Sequence, residues 1–382
     1  MNIRSILIGS AAALSSVSGA YAADAIVAAE PEAVEYVRVC DAYGTGYFYI
    51  PGTETCLKIG GYLRFDVGFG FGDAYDGNGG QDWASRTRAH VSFDAKNDTE
   101  YGTLTSRIVL ESNFRGGDTG ATAGETLVGG ASTMLGGEVS ETVIDQAYIE
   151  LAGLRVGKFT SWWDNDFSGE SDAMANVTNT NAIRYQYDAG DFYAGVALEE
   201  LGARFNDNNS LGIDASVGGK FSNFTWAVYG GYDVEAEEGA VTARIGADIG
   251  PGTFELAGVW SSGAGDNVGP AFGATGFDGY TNAYYNKGEW TIVAQYAIKA
   301  TDKFSVTPEV QYTNNIVADA SGDWDDGNMW RAGVTLDYQV VEGLSAKLAA
   351  TYVKEDYGQY TNASGEGDTD YVEGFFRLQR DF

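Results

Sequence analysis

Tyr371-Val-Glu-Gly-Phe-Phe-Arg-Leu-Gln-Arg-Asp-Phe382 alternates along its length. Val372, Phe376, Leu378 and Phe382 share one side of an extended chain; Glu373, Arg377, Gln379 and Asp381 share the other. Side chains on a strand repeat every two residues, so this segment has an apolar wall and a wet wall. In a strand that crosses a bilayer as part of a barrel, the apolar wall meets lipid and the wet wall faces a lumen. Arg380 departs from the pattern, falling on the apolar side near the end, where a long side chain can snorkel to the headgroups.

The same alternation recurs upstream. Phe65, Val67, Phe69 and Phe71 oppose Arg64, Asp66 and glycines. Ala89, Val91, Phe93 and Ala95 oppose Arg86, Arg88, His90, Ser92 and Asp94, and Leu104, Ile108 and Leu110 oppose Arg107 and Glu111. Sixteen such segments are expected, at about 60–71, 86–96, 103–114, 142–152, 154–159, 181–188, 192–199, 211–218, 223–234, 240–249, 252–260, 290–299, 303–313, 329–340, 344–354 and 371–382. Their lengths suit tilted transmembrane strands of about 9–11 residues. Short connections (189–191, 250–251, 301–302, 341–343) mostly alternate with long ones (72–85, 115–141, 160–180, 261–289, 314–328, 355–370), with 235–239 a short exception. Barrels in outer membranes pair short periplasmic turns with long external loops in this way. Tyr280 to Tyr285 also looks extended, but a further strand would make the number odd, so it is placed in a loop. A soluble sandwich alternates too, yet it would leave one wall of every strand solvated. The fold class expected is therefore an all-β, transmembrane antiparallel β-barrel.

The N-terminus reads as an export signal over 1–22. Arg4 is the positive start, Ile6 to Leu14 a short apolar run, and Ala20-Tyr21-Ala22 fits a cleavage site before Ala23. That run is too short to span a bilayer, and no later stretch approaches about 18 apolar residues. An exported chain without such a helix inserts only as a closed barrel, because lipid offers no partner for free backbone groups. The chain has 54 Asp plus Glu against 23 Lys plus Arg, a net charge of −31, which argues against a nucleic-acid partner. With 24 Tyr, 19 Phe and 8 Trp it is too aromatic for a disordered chain.

Residues 23–59 precede the barrel, assigned 60–382. The two cysteines, Cys40 and Cys56, read as a disulfide in an exported protein, pinning a hairpin that caps the periplasmic mouth or enters the lumen. No CxxC spacing or neighbouring histidine suggests a metal or redox pair, and no cofactor is implied.

Glu30-Pro-Glu-Ala-Val-Glu-Tyr-Val-Arg-Val-Cys-Asp-Ala-Tyr-Gly44 and Gly46-Tyr-Phe-Tyr-Ile-Pro-Gly-Thr-Glu-Thr-Cys-Leu57 resemble the general porins of alphaproteobacteria of the rhizobial and brucella type. So do Tyr148-Ile-Glu-Leu-Ala-Gly-Leu-Arg-Val-Gly157, Val306-Thr-Pro-Glu-Val-Gln-Tyr312 and the last strand, whose terminal Phe382 resembles the assembly signal of outer-membrane barrels. The resemblance implies a sixteen-stranded homotrimer in the outer membrane, among lipid and lipopolysaccharide. It implies passage of small hydrophilic solutes and a third external loop folded into the lumen.

Loop 160–180 follows the fifth strand and carries Asp164, Asp166, Glu170 and Asp172. Lumen parity puts Arg64, Arg86, Arg88 and Arg107 on the early strands. Acids facing these arginines across a gap would form a constriction with a transverse field. Alternatively the arginines pair with Asp66, Asp94 and Glu111 on adjacent strands and the acidic loop is merely solvated. Arg155 and Arg184 are further candidates. The expected function is a weakly cation-selective diffusion channel; the alternative is a barrel whose external loops serve adhesion or surface structure. Other chemistry is poorly supported. Asp164-Asn-Asp166 begins like a calcium loop, but Ala175 stands where a bidentate Glu belongs. His90, Ser92 and Asp94 lie along one side of one strand, about 7 Å apart stepwise, too far for a relay, so a hydrolase is not expected.

Overall fold

A computed structural model of the chain describes residues 38–73, 83–115, 139–164, 167–174, 177–201, 210–265, 282–319, 321–362 and 365–382. The export signal, most of the acidic stretch after it, and Asp166 lie outside these residues.

A two-residue strand, β1 (Phe48–Tyr49), precedes sixteen longer ones. These are β2 (Cys56–Gly72), β3 (Trp83–Thr99), β4 (Gly102–Arg115), β5 (Val139–Leu151), β6 (Leu154–Thr160), β7 (Asn179–Asp188), β8 (Phe192–Leu201) and β9 (Ser210–Phe221). Then come β10 (Phe224–Asp233), β11 (Glu238–Ile249), β12 (Gly252–Ser261), β13 (Trp290–Lys299), β14 (Phe304–Ala318), β15 (Trp324–Val341), β16 (Leu344–Asp356) and β17 (Asp368–Asp381). Each pairs antiparallel with the next, and β17 returns to β2 from Tyr371 opposite Gly72 to Asp381 opposite Tyr62. A sheet closed on itself has no edge, which satisfies every ladder group in lipid. The barrel is the sixteen-stranded one the alternation predicts.

The outward row carries the apolar set. Leu63, Phe65 and Phe71 on β2 are exposed, as are Ile108, Leu110 and Phe114 on β4, Leu211 and Ile213 on β9, and Leu348 on β16. An apolar band of this extent has no place in water and fits the hydrocarbon layer. Trp260 opposes Trp290, and the Trp290, Tyr312 and Trp330 rings follow at 5.3 and 4.7 Å across β13, β14 and β15. This row belongs to an interfacial aromatic girdle.

Several strands outrun the alternating stretches. β15 covers 18 residues where the pattern predicts 329–340. The expected long loop 314–328 is accordingly reduced to 319–323. The ladder continues past the lipid because apolar outward residues are required only inside it. A register shift after Asn314, with Asn315 at φ 48°, bends β14 so that Ile316 and Val317 bury against Met329, Val353 and Tyr357. Residues 282–289 form no strand, in line with the loop assignment.

Cys40 and Cys56 are disulfide-bonded, with Cα atoms 6.0 Å apart. The strand that opens the barrel begins at Cys56, inside the segment 23–59. β1 pairs with its first residues, Phe48 opposite Leu57 and Tyr49 opposite Cys56. The lumen-parity ammonium groups of Lys58 and Lys96 lie 5.9 and 5.6 Å from the Tyr47 ring, and Tyr43 donates to Asp98 at 2.9 Å. This small unit therefore packs at the short-turn end of β2 and β3.

Candidate functional site

Inward-pointing residues of β2, β3, β4 and β17 build a basic wall. Alternation alone fixes it, because one face of each strand is taken by lipid. Asp66, almost fully buried, accepts from Arg86 at 2.9 Å and Arg377 at 2.7 Å. Arg88 lies 3.0 Å from Glu111, and its Nε donates to Asn113. Arg107 lies 2.7 Å from Asp94. Pairing with neighbouring strands thus describes three of the four early arginines. Arg64 differs. Its Nε donates to Gln379 at 2.8 Å, its guanidinium sits 4.6 Å over the Tyr62 ring, and it makes no ion pair among the described residues.

On the next strands Arg155 pairs with Glu150. Arg184 stacks 4.0 Å over Trp162 and 4.7 Å over Phe159, and donates to the Thr160 carbonyl at 3.1 Å. Guanidinium over an aromatic face is held by the ring quadrupole without an acid.

The segment between β6 and β7 begins where Ser161 N donates to Thr178 O at 2.8 Å. Trp163 then packs against Tyr229 and Tyr284 at 5.2 and 5.4 Å. Phe167 buries with Ala257 and Val293 and faces Arg244 at 4.7 Å. Ser168 donates to Glu255, Gly169 N to Gln295 and Glu170 N to Thr335. Arg331 donates to the Ser171 carbonyl at 2.8 Å, and Ala173 N to Gln311 at 2.8 Å. A Cβ on Gly169 would sit 2.5 Å from Glu309 Oε2 and 2.6 Å from Gln295 Oε1, so the ends of those two side chains would have to move to admit one. Every strand residue named here has lumen parity.

The four acids of this segment separate. Glu170 lies 2.6 Å from Lys347 and 3.4 Å from Arg377. Asp164 and Asp172 are half-buried within the segment, and Asp166 is outside the described residues. Arg377, Arg331 and Lys347 were not among the site residues expected from sequence. Their parity was legible, but nothing in sequence told that residues 170 and 171 reach them. His90 stacks on Tyr62 at 4.6 Å, Ser92 bonds the Gly60 carbonyl, and Asp94 holds Arg107. Those three side chains have separate partners and form no relay.

The porin subfamily profile matches residues 24–375. Outer membrane protein IIIA of Rhizobium leguminosarum bv. viciae is 42% identical, spanning 94% of this chain and 92% of that one. Porin Omp2b of Brucella suis biovar 1 is 37% identical, spanning 94% and 86%. The outer membrane channel DcaP of Acinetobacter baumannii shares the fold, with a TM-score of 0.58 at 12% identity over 87% of this chain and 99% of that one. A closed barrel with an apolar skin and a charged bore, matched along nearly its whole length by these relatives, belongs to the porin subfamily and is an outer-membrane porin.

Proposed function

We propose that the protein is a passive diffusion channel for small hydrophilic solutes and ions, narrowed by segment 161–178 folded into its lumen. The observation that carries this reading is the chain of bonds from residues 168–173 to Gln295, Gln311, Thr335, Arg331 and Lys347, all on inward rows of β13 to β16. A segment solvated outside the barrel would have no access to those side chains. The open passage then lies between this segment and the wall of Arg64, Arg86, Arg88 and Arg107. Glu170 is paired at the tip with Lys347 and Arg377, and together with Asp164, Asp166 and Asp172 it makes up the acidic side of the field. A mild cation preference follows from those acids.

Purified protein in planar bilayers should give large, weakly selective conductance steps; folded protein with none refutes the reading. Reversing Asp164 and Asp166 together to lysine should lower cation selectivity, and unchanged reversal potentials would remove these residues from the constriction.

The outward face of β3 to β5 supports a homotrimer within outer-membrane lipid and lipopolysaccharide. Ser85, Thr87, Ser106, Ser112 and Thr142 interrupt the apolar band there, and Thr142 donates to Ser112 at 3.0 Å. Hydroxyls suit a second copy of the chain better than acyl chains. Cross-linking in lipid should yield trimers; monomers alone would refute the assembly.

A further inference from the structure

The loop between β12 and β13 returns to the barrel through residues 282–289, and its first four residues are fully or nearly fully buried. Asn282 Nδ2 donates to the Gly239 carbonyl, Ser261 Oγ and the Gly263 carbonyl, at 3.2, 3.1 and 3.1 Å. Its Oδ1 accepts from Tyr284 N at 3.1 Å, which turns the chain sharply. Ala283 N donates to Asp233 Oδ2 at 3.2 Å. The Tyr285 hydroxyl meets Thr291 Oγ1 at 2.5 Å, and Ser261 donates to the Tyr285 carbonyl. The four residues are thus sewn to the rims and inward rows of β10 to β13.

Tyr284 reaches furthest. Its hydroxyl donates to Glu199 Oε2 on β8 at 3.0 Å. Burial, then the Glu199 carboxylate, holds that hydroxyl protonated far above the ordinary tyrosine range. The ring occupies a hollow made by two inward-row glycines: a Cβ at Gly231 would collide with the ring, and one at Gly212 with the hydroxyl. Across the ring stands Trp163, nearly fully buried, with Val177 and Leu201 completing the cluster. Tyr284 is therefore wedged between the barrel wall and the segment read above as the constriction.

We propose that residues 282–285 are a strap that fixes the seating of segment 161–178, with Tyr284 as the positioning residue. The tip of that segment is held by polar bonds to β13 to β17, and its neck by the Ser161–Thr178 bond. Between them Trp163 meets aromatic surface from Tyr229 and Tyr284, so its position depends on packing. Removing the Tyr284 ring opens a cavity at that contact and frees the segment to move into the passage.

This inference rests on the constriction reading, and two measurements separate the failures. In planar bilayers, Tyr284→Ala should at least double the open-channel current noise and lower the closing voltage, while Tyr284→Phe, which keeps the wedge, should stay near wild type. In folded protein, chymotrypsin should cut within 161–178 at least tenfold faster in Tyr284→Ala than in wild type, whether or not channels form. A folded Tyr284→Ala barrel with wild-type noise and wild-type cleavage overturns the strap. Wild-type protein that makes no channel, with cleavage still accelerated in the variant, refutes the channel and leaves the strap standing. Should Tyr284→Ala not give a heat-modifiable barrel, Trp163→Leu removes the other side of the contact with the strap intact, and the same two readouts decide.

Discussion

Arg331→Met is the perturbation whose cost is best defined. Arg331 Nη2 lies 2.7 Å from Glu373 Oε1 on β17, and the two side chains are 7% and 1% exposed. The same guanidinium donates through Nε to the Ser171 carbonyl. Removing the arginine therefore leaves a buried carboxylate without its base. Stranding one member of a buried pair costs about 3–5 kcal/mol, because the remaining charge keeps its desolvation penalty and loses its compensation. Glu373 Oε2 makes no hydrogen bond among the described residues, so the carboxylate depends on the Arg331 bond to Oε1.

Replacing both members by apolar residues of similar size is often close to neutral. Arg331→Met with Glu373→Leu should therefore recover most of the loss, leaving about 1 kcal/mol for the bond to Ser171. The assay is equilibrium unfolding of refolded barrels in detergent or lipid, read as the shift between heat-modifiable bands against urea. The single variant should be far less stable than wild type, and the double variant should lie between them. A double variant no more stable than the single one would refute the reasoning, since the penalty would then not come from a stranded carboxylate.

Three other outcomes follow from the geometry. Gly169→Ala should destabilise by about 1 kcal/mol and alter conductance, because its new methyl displaces the ends of Glu309 and Gln295 and breaks the Gly169 N to Gln295 bond; unchanged unfolding and conductance would contradict the seating of residues 168–173. Arg64→Gln should raise cation and lower anion permeability by up to about fivefold each, the worth of one unit charge about 4 Å from an ion in water, whereas Arg86→Gln should change selectivity less because Arg86 is buried and Arg64 only half-buried; reversal potentials under a salt gradient test the order. Reducing the Cys40–Cys56 bond should cost about 3 kcal/mol, the loop-closure value for a loop of about this length, measured as a lower urea midpoint with reductant than without.

The strands were legible because lipid imposes a strict rule on one face. Even β6, only seven residues long, shows Leu154 and Val156 outward against Arg155 inward. Outside the bilayer the rule lapses, which is why the extensions of β3, β14 and β15 escaped notice. Parity also identified Arg64, Arg86, Arg88 and Arg107 as lumen residues. It could not tell which acids they would meet, since the choice between a strand neighbour and a distant loop depends on the path of that loop. Glu170 shows the difficulty: its partners Lys347 and Arg377 are 177 and 207 residues away. The strap was hidden for a related reason. Gly212 and Gly231 stand on inward rows, but a glycine in a strand announces only that something approaches closely, not what.

The net charge of the chain is therefore a poor guide to what the bore presents to an ion. Acids exceed bases more than twofold overall, yet Arg64, Arg86, Arg88, Arg107, Arg155, Arg184, Arg244, Arg331, Lys347 and Arg377 all occupy inward rows. Most of them are matched locally to Asp66, Asp94, Glu111, Glu150, Glu170, Glu255 or Glu373. A matched pair presents a dipole to a passing solute, whose field falls away faster than that of a charge. Selectivity is then governed by the few groups that the ladder of pairs leaves over. On the strand wall Arg64 is such a group, bound to Gln379 and Tyr62 instead of an acid, and it favours anions. A net preference for cations requires the acids around the passage to outweigh it, both those of segment 161–178 and inward-row acids such as Asp214 and Glu309, which make no ion pair among the described residues. Arg64→Gln and the paired reversal of Asp164 and Asp166 should for this reason shift the reversal potential in opposite directions.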